Sequence, residues 1–194
     1  MEKELEFCEE WLLLRKYYFK LLTVVTVLAD NKKAFRGQLK DLCEYLQIQP
    51  SSANLQKMIE AITFLEENDY MKVIKDKVIY TLSLSKTAEK SKKIIKIKKT
   101  WYNLIRENHE GTSWENALKV FLIIIELSSN EVIKYSDISK RTNISTRTIQ
   151  NCMRTICKID FGDFMIFKEK HTHKNEDNTY TTEGQSFIKG LTFE

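Results

Sequence analysis

The chain has 194 residues, of which 42% are hydrophobic and 30% charged, so it is a globular chain of one or two domains and not a disordered one. The net charge of +4 is too small to demand a nucleic-acid partner by itself. The longest apolar runs, Leu21–Ala29 and Val120–Leu127, fall well short of the roughly 20 residues of a membrane span.

Charge is unevenly distributed. Residues 1–85 hold 12 basic and 13 acidic side chains, residues 86–110 hold 8 and 3, and residues 111–194 hold 11 and 11. The basic excess lies in the middle. Cys8, Cys43, Cys152 and Cys157 are scattered, with no Cys-x-x-Cys pair, and no signal peptide is evident. That usage fits a reduced, cytoplasmic protein.

Residues 4–29 read as one long helix, with Trp11, Leu12, Leu14, Tyr18, Leu21, Leu22, Val25 and Leu28 at three- and four-residue steps. Its aromatic residues suit a core or a homodimer contact through this N-terminal helix. A short helix within 35–48 presents Leu39, Leu42, Cys43 and Leu46. Gln49-Pro50-Ser51-Ser52 breaks it, and Ser51 or Ser52 caps the next helix, which turns Leu55, Ile59, Ile62 and Leu65 inward. Residues 70–75 and 78–84 alternate as two strands, with a hairpin tip at Asp76-Lys77.

Residues 86–110 carry Ala88, Ile94, Ile95, Ile97, Trp101, Leu104 and Ile105 at helical spacing, with seven lysines around them. This basic helix can lie along DNA phosphates through Lys92, Lys93 and Lys96. Alternatively it is a solvated linker whose lysine stems cover apolar surface.

The second half repeats the order. An apolar helix runs from Trp114 to Leu127. Tyr135–Ile156 then reads as two short helices around a tight turn, with Ser136 and Ser145 as caps. Asn143 takes the left-handed position of the turn and Ile144 plugs its corner. Ile149, Cys152, Met153 and Ile156 form a buried stripe on the second helix. Thr146, Arg147, Gln150, Asn151 and Arg154 face outward. Arg can fork onto guanine, and Gln or Asn onto adenine, so these residues are the candidate base readers. A strand near 164–171, a polar loop at 174–178 and a strand from Thr179 follow. Leu42, Leu46 and Ile48 match Ile138, Thr142 and Ile144 at an offset of 96, and Tyr80-Thr81 matches Tyr180-Thr181 at an offset of 100.

This sequence resembles the helix-turn-helix of DNA-binding proteins, and the order of three helices and a hairpin resembles the winged-helix superfamily in tandem. Two winged helices joined by a helix are also similar to plasmid replication initiators, although the more specific motifs of that family are missing. The resemblance implies a mainly α, α+β chain with small β-hairpins: a winged-helix domain over 1–85, a basic linker helix over 86–110 and a second winged-helix domain over 111–194. It implies a double-stranded DNA partner and a cytoplasmic, nucleoid-associated protein, acting as a transcriptional regulator or as a replication or maintenance factor of a mobile element.

Within that expectation, Ser145, Lys168, Lys170 and Lys174 join the lysines of 86–110 as backbone contacts. Ser52, Asn54, Gln56 and Lys57 form a weaker second head, because Glu60, Glu66 and Glu67 lie on the same helix. The alternative is a protein-interaction scaffold that reads no bases. No Gly-rich phosphate loop, Gly-x-Ser-x-Gly elbow or His-Glu-x-x-His occurs, so an enzyme, a metal or a cofactor is not expected. His171 and His173 are read as exposed strand residues rather than a metal pair.

Overall fold

A computed structural model describes residues 3–29, 34–85, 93–109, 114–128, 131–176 and 179–190. The chain is α+β, with helices and small antiparallel sheets. It divides into two compact units, Lys3–Lys96 and Ile97–Glu194. Among the described residues no helix is long and apolar enough to cross a membrane.

The first unit begins differently from the sequence expectation. Residues 4–29 are not one helix. They form strand β1 (Glu4–Cys8), a 3-10 helix (Glu9–Leu13) and helix α1 (Lys16–Leu28). The physical reason is period two at the start: Leu5 and Phe7 are buried while Glu4 is exposed. Of the aromatic residues considered for a homodimer contact, Trp11 and Phe19 are at most 1% exposed and lie in this unit's own core, while Tyr17 and Tyr18 are half-buried and Tyr18 stacks on Phe64 at 4.1 Å.

Strand β2 (Ala34–Gln38) leads into α2 (Leu39–Leu46), where the Asp41 carboxylate accepts the Gln38 amide at 2.7 Å and fixes the first turn. Helix α3 (Ser52–Glu67) follows, with Ser51 Oγ accepting the Asn54 amide. Met58, Ala61, Ile62 and Leu65 are its buried residues. Ile59, expected to face inward, is 37% exposed, because the stripe runs one position earlier, through Met58. Strands β3 (Met71–Asp76) and β4 (Ile79–Leu84) make the expected hairpin, and β2 pairs with β4 on its other side, giving the order β2-β4-β3.

The basic linker helix is also corrected. Residues 86–92 lie outside the described residues, and Ile94–Lys98 is strand β5, paired with β1 in a two-stranded sheet. Ile95 and Ile97 are buried while Ile94 and Lys96 face out, and β-branched isoleucines at period two favour a strand. Only Lys99–Glu107 is helical, as α4. It packs within the second unit. The Trp101 ring stands edge-on to Phe164 at 5.0 Å, and Phe161 stacks on Phe121 at 4.9 Å. Lys98 Nζ and Trp101 Nε1 both donate to Asp163 Oδ2, at 2.6 and 3.2 Å, and the Lys98 bond holds that carboxyl below its ordinary pKa.

Helix α5 (Trp114–Glu126) is buried almost all round. Helices α6 (Tyr135–Thr142) and α7 (Thr146–Ile156) follow, then strands β6 (Met165–Lys174) and β7 (Tyr180–Gly190). Before α6, Ile133 makes an isolated bridge to Gln185 of β7, with backbone bonds of 2.8 and 2.9 Å. The bridge occupies the place that β2 takes in the first unit. Both units therefore run helix, short strand or bridge, two helices, hairpin.

Candidate nucleic-acid interface

The turn between α6 and α7 is built as its residues require. Asn143 sits at φ 55° and ψ 37°, the left-handed region that Asn tolerates. Ile144 is buried at the corner. Ser145 Oγ accepts the Thr148 amide at 3.2 Å and lies 2.8 Å from Thr148 Oγ1, so this hydroxyl is committed to the cap. The expected Ser136 cap is not used. Helix α6 starts two residues earlier than that cap requires, at Tyr135, with Lys134 before it and no side-chain cap.

The amphipathic division of α7 follows the sequence. Ile149, Cys152, Met153 and Ile156 are buried, and Thr146, Arg147, Gln150, Asn151 and Arg154 are exposed. Thr142 Oγ1 donates to the Ile138 carbonyl at 2.7 Å, which satisfies a hydroxyl that is fully buried under the turn.

The hairpin is longer than expected. Strand β7 runs on beyond Thr182 to Gly190. Its alternation is hidden by a bulge at His171/Thr172 and by polar residues on its outer face. His171 Nε2 lies 2.8 Å from Ser186 Oγ, and His173 Nδ1 lies 4.0 Å from Glu183 Oε1. The two histidines thus have different partners. Among the described residues no group of three His, Cys, Asp or Glu could hold a metal ion.

Lys168, Lys170 and Lys174 are exposed on β6. The first two line a cavity of about 390 Å³ between the hairpin and α7. Gln150, Met153 and Arg154 of α7, with Cys157 just past its end, form one wall, Tyr135 stands at the start of α6, and Gln185 of β7 lies directly across the ladder from Lys170. Gln150 and Arg154 thus belong to both the outward row and this cavity. Tyr135, Met153, Cys157 and Gln185 were not anticipated as site residues. Only the strand register brings Gln185 opposite Lys170, and that register depends on a bulge the sequence does not announce.

The corresponding surface of the first unit is less available. Its turn also holds a left-handed residue, Gln47, at φ 56° and ψ 45°. Its turn spans five residues, 47–51, against three, 143–145, in the second unit. Ser52, Gln56 and Lys57 are exposed and Asn54 half-buried. Asn54 Nδ2 donates to the Gln49 carbonyl at 3.0 Å and Gln56 Nε2 to Glu60 Oε1 at 3.2 Å, so two of the four polar groups already have local partners.

Lys92 lies outside the described residues. Lys96 pairs with Glu6 at 2.9 Å, and Lys93 lies 4.0 Å from Glu9. The match of Tyr80 to Tyr180 does not survive folding: Tyr80 is 7% exposed in its sheet and Tyr180 is 68% exposed at the end of the longer hairpin. No protein-family model, no curated protein and no solved structure matches this chain.

Proposed function

We propose that the chain is a tandem winged-helix protein that binds double-stranded DNA with sequence preference, and that α7 enters the major groove. The observation that carries this reading is the outer face of α7. Thr146, Arg147, Gln150, Asn151 and Arg154 are exposed together on a helix held at its start by the Ser145 cap. No acidic side chain occurs on α7 itself. Arg147 and Arg154 offer forked donors for guanine, and Gln150 and Asn151 offer the paired donor and acceptor that adenine requires.

Lys168, Lys170 and Lys174 on β6, with the Ser145 turn, serve as backbone contacts. Ser52, Asn54, Gln56 and Lys57 make a weaker head, since Asn54 and Gln56 are already hydrogen-bonded locally. Lys93 and Lys96 contribute little to phosphate binding, because Glu9 and Glu6 stand beside them. The process served is transcriptional regulation or the replication or maintenance of a mobile element, in the cytoplasm and with the nucleoid. Paired half-sites would favour a homodimer.

A second reading is a protein-interaction scaffold without base reading. It is favoured by one observation: Phe167 and Ile188 face each other across β6 and β7 and are 49% and 39% exposed, an apolar pair that DNA would not need.

Fluorescence anisotropy with random duplex at two salt concentrations separates the two readings. The proteins compared are the native chain and the Arg147→Ala, Gln150→Ala, Arg154→Ala triple variant. DNA binding at low salt that weakens in the variant supports the proposal. No binding by either protein at low salt removes it and leaves the scaffold.

A further inference from the structure

We infer that the cavity between α7 and the β6–β7 hairpin is a binding site for a small phosphomonoester carrying a hydroxylated body, such as a nucleoside monophosphate. The size fits: about 390 Å³ lies within the range of small-molecule pockets and exceeds what a lone phosphate fills. Arg154, Lys168 and Lys170 converge on it from two elements, one on the helix and two on the strand. Arg supplies a planar fork and Lys a compact charge, the combination that suits a phosphate dianion. Among the described residues no ion pair joins these three to a carboxylate. The cavity lies against the last turns of α7, whose helix end carries a partial charge of about −0.5, far less than three cations.

The rest of the wall calls for more than an anion. Gln185 Oε1 is shielded from solvent and has no hydrogen-bond partner. A buried acceptor without a donor costs about 1–3 kcal/mol, and a turn of the Gln185 amide toward the cavity it lines would let a ligand hydroxyl or N–H satisfy it. The position of Gln185 is fixed on both sides, since its backbone is bonded to Ile133 and its residue pairs with Lys170. Met153 and the Tyr135 ring provide apolar surface for the body of the ligand.

The site stands on the cavity alone. Its link to DNA rests on the function proposed above, because Gln150 and Arg154 would be drawn toward the ligand and away from base edges.

Cys157 gives a readout independent of DNA. It lines the cavity and is half-buried, whereas Cys8, Cys43 and Cys152 are buried. The experiment measures maleimide labelling of Cys157 in the full chain at mildly alkaline pH. The probes are AMP, GMP, CMP, UMP, ribose 5-phosphate, adenosine, inorganic phosphate and a random DNA duplex, each tested separately.

At least one monoester is expected to slow labelling by about tenfold at ten times its Kd. Adenosine is expected to give no protection and inorganic phosphate clearly less. The Lys168→Gln, Lys170→Gln variant, with circular dichroism confirming its fold, is expected to lose the protection. Three results overturn the inference: no monoester protects; inorganic phosphate protects as well as every monoester; or only the duplex protects, which makes the cavity a seat for the DNA backbone. Protection by a monoester in a protein that binds no DNA upholds this site while removing the DNA-binding proposal.

Discussion

Lys119 Nζ lies 3.4 Å from the carbonyl oxygen of Thr142, the last residue of α6. A lysine that is 2% exposed thus reaches from α5 to the helix end that sets up the turn before α7. The placement is favourable because the final carbonyls of a helix carry partial negative charge and lack helical partners. Burial nonetheless opposes the charge and lowers the lysine's pKa to about 8, with Glu115, one turn earlier and fully buried, acting in the opposite direction.

That arrangement has a measurable pH signature. Between about pH 8 and the ordinary lysine value of 10.5, the unfolded chain holds a proton on Lys119 that the folded chain has released. Stability therefore gains from this group as pH rises through that window, and the burial penalty is largest below it. Cys152 works in the reverse sense, since burial pushes its thiol up to about 11 and stability is lost as pH rises from 9. Comparing the native chain with a Lys119→Met, Glu115→Leu variant removes most of the cysteine contribution, because burial, its largest cause, is common to both, and the Glu115 charge is its smallest cause. Urea unfolding at pH 7.5 and 10 should show the native chain gaining on the variant at the higher pH, and a constant difference would contradict the assignment. Lys119→Met alone should cost about 3 kcal/mol, because it leaves Glu115 buried without that cation.

Gln47 and Asn143 hold the same left-handed backbone at an offset of 96 residues, yet they differ in suitability. Asn adopts this region readily and Gln does not. Replacing Gln47 by Gly should raise stability by about 1 kcal/mol, after the entropy glycine loses on folding is counted. Asn143→Gly should be close to neutral. Thermal unfolding of the two variants checks the contrast, and equal shifts would refute it.

The salt dependence of DNA binding should distinguish the two lysine groups. Lys96 and Lys93 have carboxylates at 2.9 and 4.0 Å, so Lys93→Gln, Lys96→Gln should leave the slope of log K against log salt unchanged. Each phosphate contact contributes about 0.9 to that slope, so Lys168→Gln, Lys170→Gln should reduce it by about 2. A smaller slope in the first variant would return the 93–96 segment to the DNA interface.

Gly184 is required by close approach. A Cβ there would lie 2.7 Å from Val132 Cγ1 and 3.0 Å from the Ile133 carbonyl oxygen. Gly184→Ala should therefore push β7 off the Ile133 bridge and cost about 1–3 kcal/mol. An unchanged melting temperature would show that the bridge tolerates displacement.

Local signals made the helix-turn-helix legible in the sequence. The stripe of α7, the left-handed Asn143, the corner Ile144 and the Ser145 cap each depend on residues within a few positions of one another, and all agree. The errors came where two periods competed. Leu5 and Phe7 alternate as a strand, but they precede a long run at helical spacing, and the stronger signal absorbed them. Ile94, Ile95 and Ile97 also fit a helical stripe when read together with Trp101 and Leu104. Pairing with β1, a partner some 90 residues away, selects the strand. The cavity was not legible at all. Lys168, Lys170 and Gln185 meet Arg154 through a hairpin register set across a bulge and anchored by a single bridge at Ile133.

The central claim is that the outer face of α7 reads bases, and Arg147 tests it most directly because it does not line the cavity. Affinity should be measured for a duplex selected by the native chain and for a random duplex of equal length, at one salt concentration, with native protein and Arg147→Ala. Loss of one forked guanine contact is worth about 1–3 kcal/mol, so the ratio of specific to random affinity should fall by roughly 5- to 150-fold, while random binding weakens only slightly. An unchanged ratio would contradict base reading by α7.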